Sequence, residues 1–153
     1  MSYRNDLDLA IREPKLSDAP ELSKLICELG YKTTDSEMRQ RLKSILSDER
    51  YSTFVAEIDN ELCGMIGTLT HRSHEHNDLS GKIIALVVSK RLRRSGIGRA
   101  LIAAAEKDFV EKNVTRVTLT TRFAREGAHR FYEALGYSKT GFRFAKNLTP
   151  VSD

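Results

Sequence analysis

The run Leu86-Val87-Val88-Ser89-Lys90-Arg91-Leu92-Arg93-Arg94-Ser95-Gly96-Ile97-Gly98-Arg99-Ala100-Leu101 carries an apolar strand through a basic, glycine-bearing turn directly into an amphipathic helix. That order builds an anion site. Gly96 and Gly98 remove side chains that would hold a ligand off the backbone, and the helix aims its unpaired N–H groups and positive dipole end at the turn. Ile83 to Val88 form a continuous apolar run suited to a strand buried on both faces. Beyond the turn, Ile97, Leu101, Ala104, Ala105 and Phe109 recur at helical spacing. The pattern Arg93-x-x-Gly96-x-Gly98 is neither the Gly-x-Gly-x-x-Gly of dinucleotide folds nor the phosphate loop of NTPases. A pyrophosphate held by main-chain amides fits it, and so does a plain loop softened by glycine ahead of an ordinary helix.

Further on, Ala128-His129-Arg130-Phe131-Tyr132-Glu133-Ala134-Leu135-Gly136-Tyr137 reads as a helix with Ala128, Phe131, Tyr132 and Leu135 on neighbouring turns, stopped by Gly136. The strand, the Arg93-x-x-Gly96-x-Gly98 turn and this Phe131-Tyr132-x-x-x-Gly136-Tyr137 block together resemble the GNAT superfamily of acetyl-CoA-dependent N-acetyltransferases. The match spans at least residues 83 to 146. It implies a mixed, mostly antiparallel α/β sheet with a splayed central strand pair, about four helices on both faces, and acetyl-CoA as cosubstrate with no tightly bound cofactor.

The 153 residues suit a single domain, 1–153, with 40% apolar and 30% charged residues and no apolar run near the roughly 20 residues of a membrane span. Met1-Ser2-Tyr3-Arg4-Asn5-Asp6 lacks the apolar core of a signal peptide, so a cytoplasmic location is expected. Cys27 and Cys63 sit in apolar patterns without ligand-like spacing and read as reduced core thiols. The formal charge of +4 concentrates in Lys90, Arg91, Arg93, Arg94 and Arg99, around the glycine turn. With no aromatic residues interleaved there, the basic excess favours a compact phosphorylated ligand over nucleic acid.

Leu9 and Ile11 alternate as a first strand, and Ser17-Asp18 caps a helix whose core stripe is Leu22, Leu25, Ile26 and Leu29, ended by Gly30. Thr34-Asp35-Ser36-Glu37 has capping-box spacing and opens a second helix with Met38, Leu42, Ile45 and Leu46 inward. Strands at Thr53 to Ile58 and Leu62 to Leu69 flank an Asp59-Asn60 turn, residues 70 to 81 read as a polar loop, Val114 to Thr121 as a strand, and Tyr137 to Lys146 as paired terminal strands. The total is six or seven strands.

The resemblance assigns roles. Backbone groups of Leu86, Val87 and Val88 meet the pantetheine and thioester carbonyl, with the Val88 N–H as oxyanion donor. Arg93, Arg94, Ser95, Gly96, Ile97, Gly98 and Arg99 cradle the pyrophosphate. Tyr132 contacts the coenzyme and protonates the departing thiolate. Arg125 stands where an asparagine coenzyme contact is common, and Ile84 where many relatives carry a glutamate base, so that role falls to Glu57, His71, His74, Glu75, His76 or Asp78, directly or through water, or to a water chain with no dedicated residue. The His71-x-x-His74-Glu75-His76 loop is a candidate acceptor lining; no metal is expected.

With Ile26-Cys27-Glu28-Leu29 and Phe142-Arg143-Phe144, that loop looks similar to aminoalkylphosphonate N-acetyltransferases. The expected reaction is direct acetyl transfer to a primary amine of a small molecule such as an anionic amine, through a ternary complex and with no nucleic acid or membrane partner. Homodimers are common in the family. The rival readings are an acyl-CoA-binding module without efficient transfer, an acetyltransferase of peptide amines, and a nucleic-acid-binding domain.

Overall fold

Asp59 and Asn60 both take left-handed backbone, at φ of 51° and 65°, the two-residue hairpin geometry whose twist matches that of the strands it joins. In the computed structural model, which describes residues 8–92, 95–120 and 126–149, this turn organises one sheet. Its strands lie in sequence order: β1 (Leu9–Arg12), β2 (Tyr51–Ile58), β3 (Glu61–His71), β4 (Leu79–Val88) and β5 (Val114–Leu119). All neighbours are antiparallel except β4 and β5. A parallel pair needs a crossover, and α3 (Ile97–Glu111) supplies it. The described residues form two units, one closing at Leu119 and one opening at Thr120.

In the first unit, α1 (Ala19–Leu29) and α2 (Asp35–Leu46) cover one face of the sheet. Leu22, Leu25, Met38 and Leu42 pack there with Val55, Leu62, Met65 and Val87. α3 covers the opposite face with Ile97, Leu101, Ile102, Ala105 and Phe109. Glycine permits that close approach, because a Cβ on Gly81 would lie 2.6–2.8 Å from the Phe109 ring.

Local signals explain the helix ends. The Thr34 hydroxyl accepts from the Glu37 N–H at 3.1 Å while Glu37 accepts from the Thr34 N–H at 2.9 Å, a complete capping box. Gly30, at φ 117°, closes α1, with Tyr31 N–H donating to the Ile26 carbonyl. Asp18 stands at the N-cap of α1, but its carboxylate is diverted from capping. It accepts from the Lys15 N–H and from both terminal nitrogens of Arg12 at 2.9 and 3.0 Å, and Arg12 also reaches Glu57 at 3.1 Å. This fork ties β1, β2 and the entrance of α1 together.

Several expectations change. Five strands, not six or seven, occur among the described residues: 137–149 form no ladder, and Phe142 and Phe144 are 86% and 93% exposed. Their alternation is a strand pattern, but alternation yields a strand only where a partner satisfies its backbone groups. The loop expected over 70–81 shrinks to 72–78, since β3 runs on to His71 and β4 begins at Leu79. β5 ends at Leu119, and Thr121 lies outside the described residues.

Leu46 is 45% exposed because it sits roughly 80° round α2 from Met38, at the margin of the inward stripe. Cys27 is exposed rather than a core thiol, about 140° round α1 from Leu22.

The run Ile83 to Val88 is also not buried on both faces, for Ile84 is 45% exposed. The cause is a bulge. Thr68 pairs with Ile83 and Gly67 with Ala85, which leaves Ile84 as an extra residue on β4.

The second unit contains α4 (Glu126–Ala134), stopped by Gly136 at φ 93° with its N–H on the Glu133 carbonyl. The Tyr132 ring stands edge-on to Phe131 and to Tyr137, with centroids 5.2 and 6.1 Å away.

The hydrogen bond from Arg12 holds the Asp18 carboxyl below its ordinary value of 3.8, against the opposing effect of burial. A carboxyl lowered on folding contributes stability above its unfolded pKa and loses it as pH falls through the folded value. Asp18→Asn is expected to cost about 1.5–3 kcal/mol at pH 7. Urea denaturation should show the gap to wild type closing below pH 3.8; a gap that does not depend on pH would contradict the assignment.

Candidate functional site

The bulge at Ile84 marks the point where β4 parts from β5. The parallel register runs from Leu79 and Val114 to Ile83 and Leu119 and stops there, so residues 84–88 have only β3 as a ladder partner among the described residues. The Ser89 N–H donates to the Cys63 carbonyl at 2.8 Å, which sets the phase of the β3–β4 ladder. Hydrogen-bonded and non-hydrogen-bonded pairs alternate in antiparallel sheets. Val87 therefore exchanges its bonds with Met65, whereas the peptide groups of Leu86 and Val88 turn away from β3 toward the open edge. Val87 contributes its side chain to the core beneath α1 and α2.

After Val88 the chain passes buried Ser89 and the short turn Lys90–Leu92. Arg93 and Arg94 lie outside the described residues. The Ser95 hydroxyl donates to the Leu92 carbonyl. Gly96 is the N-cap of α3 at φ 85°, a conformation that suits glycine. Among the described residues, chain neighbours aside, no heavy atom lies within 4 Å of where its Cβ would stand, so the space before the helix is open.

The first intrahelical bond is Ala100 N–H to the Gly96 carbonyl at 3.0 Å. The N–H groups of Ile97, Gly98 and Arg99 consequently face that space without intrahelical partners, at the positive end of the helix dipole. No acidic residue occupies the first turn of α3 to compete for them. A strand-like edge thus leads into a helix start with free N–H groups, an arrangement that suits a ligand with an amide-bearing arm and phosphates.

The other candidates are dispersed. Arg125 lies outside the described residues, and Tyr132 belongs to the second unit. Glu57, a candidate base, is committed to Arg12. His71 ends β3, with Nδ1 3.2 Å from the Arg72 carbonyl. His74 and Glu75 are exposed in the 72–78 loop. His76 Nε2 lies 2.6 Å from an Arg116 nitrogen, and Asp78 accepts from the Thr115 hydroxyl at 3.5 Å. No three His, Cys, Asp or Glu side chains gather at a metal-binding point among the described residues.

Two features escape a reading of spacing alone. A cavity of about 310 Å³ lies between α1 and the neighbouring strand ends, lined in part by Glu21, Glu28, Glu61 and Arg91. Its carboxylates are engaged: Glu21 accepts from the Leu62 N–H, Glu28 from the Lys90 N–H, and Glu61 pairs with Arg91 at 3.0 Å. Lys82 and Arg116 are the second feature. They reach one face of the sheet only through strand register, and the lone signal for Lys82 is a charge at the entry to an apolar run.

Residues 19–137 match the family model described as acetyltransferase (GNAT) family. The aminoalkylphosphonate N-acetyltransferase of Salmonella typhimurium is 32% identical over 139 residues, covering 90% of this chain and 90% of that protein. N-acetyltransferase 8 of Rattus norvegicus is 30% identical over 122 residues, 80% of this chain and 55% of that protein, so this chain spans about half of that relative. A solved GNAT family acetyltransferase from Staphylococcus aureus aligns with a TM-score of 0.79 at 26% identity, over 92% of this chain and 98% of that one.

The two cysteines bear on whether an acyl group is carried covalently. Cys63 is buried, and burial pushes its thiol pKa up, away from the reactive thiolate. Cys27 is exposed and directs its thiol to the Thr33 carbonyl at 3.4 Å. With a chromogenic disulfide reagent, one thiol of the native protein should titrate quickly and the second only in denaturant. Cys27→Ser should remove the fast phase; two fast thiols would contradict the burial of Cys63.

Proposed function

This chain belongs to the acetyltransferase (GNAT) family, whose members use acetyl-CoA, and on that premise we propose that residues 1–153 act as one catalytic domain. It moves the acetyl group directly onto a primary amine of a small molecule that also carries an acidic group, such as an aminoalkylphosphonate. The observation that carries this reading is the open edge of β4 running into the Gly96 turn. The name and 90% mutual coverage of the Salmonella typhimurium relative support the acceptor class. A cytoplasmic location accords with the lack, among the described residues, of a helix long and apolar enough to cross a membrane.

In this mechanism the N–H groups at the start of α3 hold the diphosphate, with Arg93, Arg94 and Arg99 adding charge. The outward peptide groups of Leu86 and Val88 hold the pantetheine arm as an added strand would be held. The Val88 N–H faces the thioester oxygen and stabilises the charge that develops there as the amine adds. Ile84, at the bulge, offers no proton acceptor, so the amine reacts in its neutral form and releases its proton to water. Tyr132 returns a proton to the departing thiolate, and Arg125 contributes to coenzyme binding. Transfer is direct, which accords with a buried Cys63 thiol.

Gly96→Asp puts an anion and a strained backbone where the diphosphate is held. Calorimetry should show coenzyme A affinity falling by at least about tenfold, the equivalent of 1.4 kcal/mol; an unaltered affinity removes the turn from the site. Tyr132→Phe should lower kcat by about 100-fold with coenzyme affinity retained. That effect is read by thiol release over a panel of small amines. Binding of acetyl-CoA without amine-dependent release in the wild type would reduce the chain to a binding module.

A further inference from the structure

We propose that the cavity between α1 and the neighbouring strand ends binds a small primary ammonium compound, and that its occupation tightens the turn ahead of α3. The coupling rests on the reading above that this turn holds the coenzyme, whereas the site itself stands apart from it.

Glu21, Lys24 and Glu28 recur three and four positions apart on α1, so they share the face of the helix that borders the cavity. Backbone groups hold both carboxylates. Glu21 accepts from the Leu62 N–H at 3.1 Å and Glu28 from the Lys90 N–H at 2.8 Å, which occupies one oxygen of each. The second oxygens accept no hydrogen bond, and neither glutamate belongs to an ion pair among the described residues. Lys24 lies between them on the helix and pairs with neither.

A hydroxyl joins them. Ser89 is 6% exposed and lines the same cavity. Its N–H donates to the Cys63 carbonyl and its carbonyl accepts from the Leu92 N–H, but no hydrogen bond engages its hydroxyl among the described residues. That oxygen is not sealed within the protein, as the orphaned hydroxyl of Thr70 is, so it opens on the cavity. A hydroxyl set so deep is seldom left without a partner, and a ligand with a donor supplies one.

Three acceptors thus border one cavity of about 310 Å³, namely the second oxygens of Glu21 and Glu28 and the Ser89 hydroxyl. A primary ammonium carries three N–H donors and a positive charge to match them. Glu61 neutralises Arg91 at 3.0 Å, so among the charges lining the cavity two carboxylates face one lysine, and the balance favours a cation. Lys24 is exposed, where it suits an acidic group at the far end of the same ligand.

One wall of the cavity is the turn that leads to α3. Glu28 pins Lys90, Glu61 pins Arg91, the Leu92 N–H donates to the Ser89 carbonyl at 2.9 Å, and the Ser95 hydroxyl donates to the Leu92 carbonyl just before Gly96. A ligand on Glu28 and Ser89 orders that turn before the coenzyme arrives and adds positive charge beside it. Both effects favour an anion at the helix start. By reciprocity, the bound coenzyme favours the ammonium.

Ethylammonium chloride titrated into the isotope-labelled full chain should produce saturable shifts at the amides of Leu62 and Lys90, whose N–H groups rest on the two carboxylates. Tetramethylammonium at equal ionic strength, which has no N–H donor, should not. Glu28→Gln keeps the oxygen that accepts from Lys90 while losing the charge, and Ser89→Ala removes the hydroxyl alone. Each should weaken binding by about tenfold.

Equal shifts with both salts, or an affinity unmoved in both variants, overturns the site. By calorimetry, saturating ethylammonium should raise the coenzyme A affinity of wild type about fivefold; an unaltered affinity overturns the coupling. Should coenzyme A not bind at all, the coenzyme reading fails, and the amide titration still decides the site.

Discussion

The molecule depends on how closely α3 lies against the sheet. A methyl group on Gly81 would stand 2.6 Å from the Phe109 ring, and one on Gly64 would stand 3.0 Å from Leu101. Filling such gaps in a packed core costs about 1–3 kcal/mol, because buried side chains have no slack. The absent side chains let the helix settle directly on β3 and β4 along both of its halves. With that axis fixed, its first turn comes to the end of the chain leaving β4, and Gly96 presents its amides to open space. The open start of α3 is a product of packing deep in the core, not of the loop alone.

The second constraint is the extra residue in β4. Before it, Gly81 and Ile83 face α3; beyond it, Leu86 and Val88 take that face while Val87 enters the core beneath α1 and α2. The strand remains anchored on both sides even as its far edge separates from β5. Edges of this kind are normally paired or covered. An edge left open in this way offers backbone groups that an extended ligand can pair as an added strand would.

Much of this was legible in residues. The apolar run followed by Gly96 and Gly98 gave strand, turn and helix in the order found, Thr34 and Glu37 announced a capping box, and Asp59-Asn60 a hairpin. The family resemblance drawn from the Arg93-x-x-Gly96-x-Gly98 and Phe131-Tyr132 blocks agrees with the match over residues 19–137. What escaped is set by register. Six apolar residues in a row carry no alternation, so nothing in Ile83 to Val88 marks Ile84 as supernumerary. Lys82 and Arg116 lie 34 positions apart in the chain and meet only once the β4–β5 pairing is known. Tyr137 to Lys146 show the reverse failure, an alternating pattern without a ladder.

The bulge also makes position 84 unequal before different kinds of genetic change. A base substitution there exchanges one half-exposed side chain for another and leaves the ladder in step. Loss of the codon would join Ile83 directly to Ala85, leave Leu86 and Val88 on the α3 side and Val87 in the core, and erase only the bulge. A deletion there would therefore change the course of β4 and not which side chains line its two faces.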